Sequence, residues 1–84
     1  MTTTLAHLHP GDRARVCGIL LEGGIRRRLL DIGLTEGAEV ECAGLSPFGS
    51  PGAYVIQEAL IAIRKSDGQK VLVKKQKEVT PPWD

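Results

Sequence analysis

Four side chains in this sequence are of types that bind transition metals or act as nucleophiles: His7, His9, Cys17 and Cys42. A zinc-type site needs several such ligands at short spacings, and these four form neither a CxxC nor an HxxxH pattern. A nucleophilic cysteine also needs an adjacent base. We therefore expect no metal site and no catalytic residue, and we keep the four side chains only as weak candidates for metal binding.

A run of three arginines, 26–28, stands in a stretch where Ile25, Leu29 and Ile32 recur at helical spacing. We expect a helix over 25–32 with the arginines in its first turn, where the helix dipole disfavours positive charge. The free backbone N–H groups of such a turn suit an anion or an acidic partner surface. The alternative is a solvated arginine face, which is what most charge runs form.

Composition narrows the classes of function. The 84 residues are 42% hydrophobic and 25% charged, and 11 Lys+Arg against 10 Asp+Glu leave a net charge of +1, too little to drive nucleic-acid or membrane binding. An aromatic content of 4% is too low for the grooves that bind proline-rich peptides or single-stranded nucleic acid. No phosphate-binding GxxxxGK motif is present. We expect one domain that is not an enzyme and does not bind nucleic acid.

The termini and the apolar runs bear on location. The N-terminus lacks a basic stretch followed by an apolar run, so we expect no signal peptide. The longest apolar run, 59–63, is far shorter than a membrane span. Without a secretory context, the two cysteines are expected to be free thiols. We expect a cytoplasmic protein with no direct membrane insertion.

Two segments alternate between polar and apolar residues, as half-buried strands do. The strand that begins at Arg13 carries Arg15 on the same face, and the strand that begins at Ala38 carries Glu39 and Glu41 on one face. If these strands pair, the arginines lie beside the glutamates, an arrangement worth about 0.2–1 kcal/mol per pair.

Glycine and proline mark the connections. Gly33 follows the last periodic residue of the helix, so we expect it to end the helix in the left-handed conformation, with Leu34 folding back onto Leu29. The broken alternation over 19–22 indicates a bulge or an irregular exit from the strand. The segment 46–52, rich in proline and glycine, is expected to be the longest loop.

The remaining chain has the pattern of short strands. We expect strands at 53–56, 60–64 and 71–74, a single helical turn capped by Ser66, and a solvated tail over 76–84. Leu5 and Leu8 are expected to form a turn that covers one end of the core. The core itself should consist of Ala14, Val16, Leu29, Ile32, Leu34, Val40, Val55, Ile61, Ile63, Val71 and Val73.

This order of elements is that of a small, mainly β, SH3-like barrel of about five strands with one short helix packed on it, occupying residues 1–75. The sequence resembles the FeoA family from Leu5 to about Val73. The resemblance is carried by turn, helix and strand residues in a fixed order, chiefly Gly11, Leu29, Gly33, Leu34, Gly37, Pro47, Gly49, Pro51, Ile61 and Arg64. The chain departs from the family pattern at Glu36, Ser50 and Glu58, where Pro, Asp and Gly are frequent.

The resemblance implies an accessory protein of ferrous iron uptake that acts as an adaptor or regulator of FeoB, a membrane transporter with a cytoplasmic G-protein domain. Related domains occur in iron-dependent repressors, so the alternative is a transition-metal-binding or metal-sensing module. We expect no cofactor, with weak binding of Fe²⁺ or another transition metal as the alternative, and a monomer or weak oligomer. The docking surface for the partner is expected to combine Arg26, Arg27, Arg28, Pro47, Phe48 and Gly49.

Overall fold

Within the described residues, six antiparallel strands form a single sheet. The computed structural model describes residues 2–75, so the expected tail at 76–84 lies outside the described residues. The strands are β1 (Thr2–Thr4), β2 (Arg13–Ile19), β3 (Glu39–Leu45), β4 (Gly52–Ile56), β5 (Ala59–Ile63) and β6 (Val71–Lys75). Their order is β1-β6-β2-β3-β4-β5, so β1 and β5 are the edges. The mainly β class is confirmed, with β1 as a sixth strand that its run of β-branched threonines favours.

The expected helix is present and begins two residues early. Helix α1 spans Gly23–Asp31, and a second, single-turn helix, α2, spans Lys65–Gly68. A 3₁₀ turn at Leu5–His7 precedes β2. Neither α1 nor α2, the α-helices within residues 2–75, is long and apolar enough to cross a membrane.

Strands β2 and β3 pair as the charge pattern predicts. Arg13 lies opposite Glu41, and Arg15 opposite Glu39. The first pair forms an ion pair, with 3.1 Å between Nε of Arg13 and Oε1 of Glu41. The guanidinium of Arg15 instead donates to the carbonyl of Gly37 at 2.9 Å. The expected facing of arginines and glutamates is confirmed, and one of the two arginines holds the turn before β3.

The irregular exit from β2 that was the alternative to a bulge over 19–22 is present, because the strand ends at Ile19 and residues 20–22 form neither helix nor strand. A bulge lies earlier in the chain. The register of β2 against β6 shifts between Val16 and Gly18, which leaves Cys17 as the extra residue and turns its side chain to solvent. A second shift in β3, between Cys42 and Gly44, was not expected. Sequence alternation alone does not locate a bulge, because residues on both sides of it remain plausible inward or outward positions.

The core follows the expected list with one error. Val55 is half-buried on the outer face, and β4 buries Tyr54 and Ile56 instead. The two-residue turn that pairs Ile56 with Ala59 fixes which residues of β4 point into the core. Ile32 and Ile61 are only half-buried and pack against the core. The fully or nearly buried hydrophobic residues are Leu5, Leu8, Ala14, Val16, Leu21, Leu29, Leu34, Ala38, Val40, Cys42, Tyr54, Ile56, Ile63, Val71 and Val73.

The expected cover at one end of the core is present. Leu5 begins the 3₁₀ turn and Leu8 follows it, and both are buried. The hydroxyl of Tyr54 donates to the carbonyl of Leu5 at 3.3 Å, which fastens this turn to β4 across the core.

Candidate docking surface

The arginine run does not lie in the first turn of α1, as the sequence had suggested. Because the helix begins at Gly23, with φ of 71°, Arg26 is its fourth residue and Arg28 lies in its last turn. A cation in the last turn interacts favourably with the helix dipole. The dipole therefore gives no reason to regard these arginines as misplaced, and a role in docking must rest on their surroundings.

The three exposed arginines lie on two different faces of α1. Arg26 and Arg27 border a shallow cleft with Gly23 and Gly24. Arg28 borders a separate groove on the other side of the helix. None of the three makes a hydrogen bond or ion pair with any side chain of residues 2–75. Their charge is therefore available to a partner, and only Arg28 faces the groove.

That groove lies between α1 and the edge strand β5 and has a volume of about 550 Å³. Its walls are mostly apolar, and cationic side chains lie at its border. We call it the α1–β5 groove; it is lined by Ile25, Arg28, Leu29, Ile32, Ile61, Ala62, Ile63, Arg64 and Asp67.

The loop between β3 and β4 presents the most exposed aromatic side chain of the described residues. Phe48 is 95% exposed at its tip. The loop is closed on itself by backbone bonds, from Gly49 N–H to the carbonyl of Ser46 at 2.8 Å and from Ser46 N–H to that of Pro51 at 3.2 Å. An exposed aromatic ring on a closed loop is a suitable anchor for a protein partner.

Ser50 joins this loop to α2. Its hydroxyl oxygen accepts a hydrogen bond from the backbone N–H of Lys65 at 3.1 Å, and α2 has no side-chain cap of its own, so the expected cap by Ser66 is wrong. Ser50 is one of the three positions at which the chain departs from the family pattern, and its hydroxyl makes this bond. Arg64, which precedes Lys65, lines the α1–β5 groove. The loop is thus linked to one end of the groove rather than to Arg26 and Arg27.

The weak metal candidates are not brought together. The Thr4 hydroxyl oxygen lies 2.7 Å from Nδ1 of His7, and His9 is exposed beside Asp12. Cys17 is exposed on β2, whereas Cys42 is buried in the core, where desolvation raises the pKa of its thiol. Among residues 2–75 no three His, Cys, Asp or Glu side chains are placed to share a metal ion.

The family-motif residues divide into folding and surface positions. Gly11, Gly33 and Gly37 have positive φ, and Leu29 and Leu34 are buried. Ile61 and Arg64, which the sequence assigned only to the motif, line the groove. The signal for the groove was weak, because Ile25, Ile32, Ile61 and Ile63 have the spacing of core residues.

Comparison with known proteins identifies the relatives of this chain. The family model of the FeoA domain matches residues 3–75. A fusion protein of Fe(2+) transport protein A and the Fe(2+) transporter FeoB from Porphyromonas gingivalis is 29% identical over 69 residues, which are 82% of this chain and 8% of that protein. This chain thus spans a small part of that relative.

Two solved structures give the fold its context. The FeoA protein of Chlorobium tepidum is 32% identical with a TM-score of 0.81, over 84% of this chain and 68% of that one. The zinc complex of FeoA from Stenotrophomonas maltophilia, described as a procaryotic SH3 domain protein, is 26% identical with a TM-score of 0.77, over 92% of this chain and 99% of that one. The SH3-like fold is therefore confirmed.

Proposed function

This chain belongs to the FeoA domain family, and on that premise we propose that it is a protein-binding accessory protein that regulates a FeoB-type ferrous iron transporter. It acts in the cytoplasm, on the G-protein domain of the transporter. It does so without enzymatic activity and without a cofactor. Its docking surface combines the exposed face of α1, the α1–β5 groove and the 46–51 loop.

One observation carries this proposal: a relative joins the two functions in a single chain. The Porphyromonas gingivalis protein combines Fe(2+) transport protein A with FeoB, and the similar region covers 82% of the residues of this chain. Fusion keeps two parts permanently close, which favours an association that separate chains must form by binding. The structural neighbour from Stenotrophomonas maltophilia is itself described in terms of ferrous iron transport activation.

The surface suits such a partner. Arg26, Arg27 and Arg28 are exposed without side-chain partners in residues 2–75, and Phe48 is exposed at the loop tip. Exposed arginines steer an acidic partner and aromatic rings anchor it, which are the two elements of a typical interface.

A pull-down with the isolated cytoplasmic domain of the cognate transporter tests the proposal. Charge reversal of Arg26 and Arg27 to Glu should weaken binding about tenfold, and Phe48→Ala should weaken it as well. Reversal of two other exposed cations, Lys70 and Lys74, is the matched control, because neither lies on α1, in the groove or in the loop. If the unaltered chain does not bind the transporter domain, the proposal is overturned. If the control pair of lysine variants loses as much binding as the arginine pair, the assignment of the docking surface is overturned.

A further inference from the structure

Strand β5 is an edge without the usual protection. It lies at the end of the sheet, and among residues 2–75 no strand pairs with its outer side. All five residues from Ala59 to Ile63 are apolar, without a charge, a proline or a register shift against β4. Natural proteins usually protect edge strands with these devices, because an open edge pairs with other chains. The opposite edge, β1, is only three residues long and consists of threonines.

The hairpin geometry indicates which backbone groups point outward. A two-residue turn makes Ile56 and Ala59 a hydrogen-bonded pair, and such pairs alternate along an antiparallel ladder. The backbone groups of Ile61 and Ile63 therefore face β4. Those of Leu60 and Ala62 face the open edge. The edge thus offers two N–H donors and two carbonyl acceptors in strand geometry.

The space beside this edge is the α1–β5 groove. Ile61 and Ile63 form one side, and Ile25, Leu29 and Ile32 of α1 form the other. Ile25, Ile32 and Ile61 are half-buried, so part of each apolar side chain remains open to solvent. An added strand would place alternate side chains against this wall, since successive residues of a strand point to opposite faces.

The charges at the groove select among extended segments. Arg28 and Arg64 border it, are exposed, and have no side-chain hydrogen bond or ion pair within residues 2–75. Asp67 supplies a single opposing charge. Two unpaired guanidiniums favour carboxylates, with which arginine forms bidentate pairs. A segment rich in lysine would be repelled by both guanidiniums.

We propose that the open edge of β5 binds an extended peptide segment by strand addition, and that this segment alternates apolar and acidic residues. The apolar side chains fill the α1–β5 groove and the backbone pairs with Leu60 and Ala62. The carboxylates lie on the opposite face of the added strand and attract the exposed, flexible side chains of Arg28 and Arg64 from the groove border. The inference deepens the proposed function, since it gives the chemistry of the partner segment that reaches the groove.

The test uses two synthetic peptides with blocked ends, one alternating valine and glutamate and one alternating valine and lysine. Amide hydrogen exchange of the ¹⁵N-labelled chain is measured by NMR with each peptide. The glutamate peptide should slow exchange at Leu60 and Ala62 about tenfold or more, and the lysine peptide should not. Unchanged exchange at both amides with either peptide overturns the proposal. The proposal is also overturned if exchange at these amides slows in the peptide-free chain as the protein concentration rises, because a second copy of the chain then pairs with the β5 edge.

Ala62 provides the matched pair of variants. Ala62→Pro removes the outward N–H and leaves the bonds to β4, whereas Ala62→Thr keeps the N–H. Binding of the glutamate peptide should fall at least about tenfold in the proline variant and clearly less in the threonine variant, which changes the side chain but keeps the N–H donor. If the proline variant does not fold, the exchange measurement on the unaltered chain decides. Pull-down of the transporter domain without protection at Leu60 and Ala62 leaves the proposed function standing and removes this inference. If the glutamate peptide protects these amides but the transporter domain is not pulled down, the strand-addition inference stands and the proposed function is removed.

Discussion

Gly33 shows how one residue can end a helix and permit a tertiary contact. Its φ is 103°, Leu34 N–H bonds the carbonyl of Leu29 at 2.9 Å, and Gly33 N–H bonds that of Leu30 at 3.1 Å. These two bonds form the Schellman motif. A Cβ at position 33 would also collide with the side chain of Gln57. The expected positive φ is confirmed, and the contact with Gln57 adds a constraint that the sequence did not show.

We expect Gly33→Val to lower the free energy of unfolding by at least about 1–2 kcal/mol, because a β-branched residue is strained in the left-handed region. Gly33→Asn should be milder. Urea denaturation measures both. In a Gln57→Ala background the cost of Gly33→Asn should shrink, since the colliding atoms are gone. An equal cost in both backgrounds shows that the collision is irrelevant.

The turn between β4 and β5 carries strain that a glycine would relieve. Gln57 and Glu58 have φ of 50° and 67°, a geometry in which glycine is favoured at the second position. We expect Glu58→Gly to raise the free energy of unfolding by about 0.5–1 kcal/mol. Glu36→Gly is the control: Glu36 is also an exposed turn residue and is not among the positive-φ residues, so the change should destabilise. Urea midpoints of the two variants moving in the same direction would contradict this explanation.

The four metal candidates allow a prediction at the level of single side chains. His7 ends the 3₁₀ turn and His9 follows it, whereas Cys17 and Cys42 lie on two different strands, and Cys42 is buried. We expect no saturable sub-micromolar site for Fe²⁺ or Zn²⁺ in calorimetric titration, because a tight site needs clustered ligands. One site abolished by His7→Ala or Cys42→Ala would place the metal-binding alternative ahead of the adaptor.

At the level of elements, α1 is held by one deeply buried leucine between two half-buried isoleucines. Leu29 is 3% exposed in the core, whereas Ile25 and Ile32 remain half-buried beside the groove. Truncation of Leu29 to Ala should cost about 2–5 kcal/mol of unfolding free energy, as for other buried leucines. Ile32→Ala should cost clearly less, because it removes fewer buried contacts. Equal urea midpoints for wild type and Leu29→Ala would show that α1 is not docked.

The elements were largely predictable because their signals are local. Alternation located β2 and β3 and the faces of Arg13 and Glu41, and the glycine at 33 located the end of α1. The phase of β4 was not predictable, because an uninterrupted apolar run has no alternation; Tyr54 and Ile56 are buried, and Val55 is not. The start of α1 was missed because two glycines are weak helix formers.

At the level of the whole molecule, the proposed docking surface includes a feature that the sequence did not mark. The sequence marked the arginines and the Phe48 loop, but it did not mark the α1–β5 groove, which depends on β5 lying at the sheet edge next to α1. That placement follows from strand order, which single-residue patterns do not encode. The bond from Lys65 to Ser50, which links the loop to the groove, likewise joins residues far apart in sequence.

The core as a whole also sets how stability depends on pH. Cys42 and Tyr54 are cross-strand partners on β3 and β4, 0% and 3% exposed. Desolvation raises the pKa of each above its ordinary value, and the charge of the Cys42 thiolate further disfavours ionisation of Tyr54 and so raises its pKa. The folded state therefore holds both groups protonated to a higher pH than the unfolded state does. Their stabilising contribution is complete below the unfolded pKa values and is lost as pH rises through the folded ones.

We therefore expect the urea midpoint to fall with rising pH above about 9, where the unfolded thiol and then the unfolded phenol ionise. Tyr54→Phe should flatten the part of this decline near pH 10, although it also removes the bond to Leu5 and so lowers the midpoint at neutral pH. If Tyr54→Phe and wild type decline in parallel from pH 9 to 11, the buried phenol does not control the alkaline limb.

On the acidic side, the backbone N–H of His9 and the ammonium of Lys75 lower the pKa of Asp12, so the stability that the Asp12 carboxylate contributes is lost as pH falls below the ordinary pKa of aspartate. In Asp12→Asn, the fall of the urea midpoint with acid should be flatter, and the alkaline decline should be unchanged.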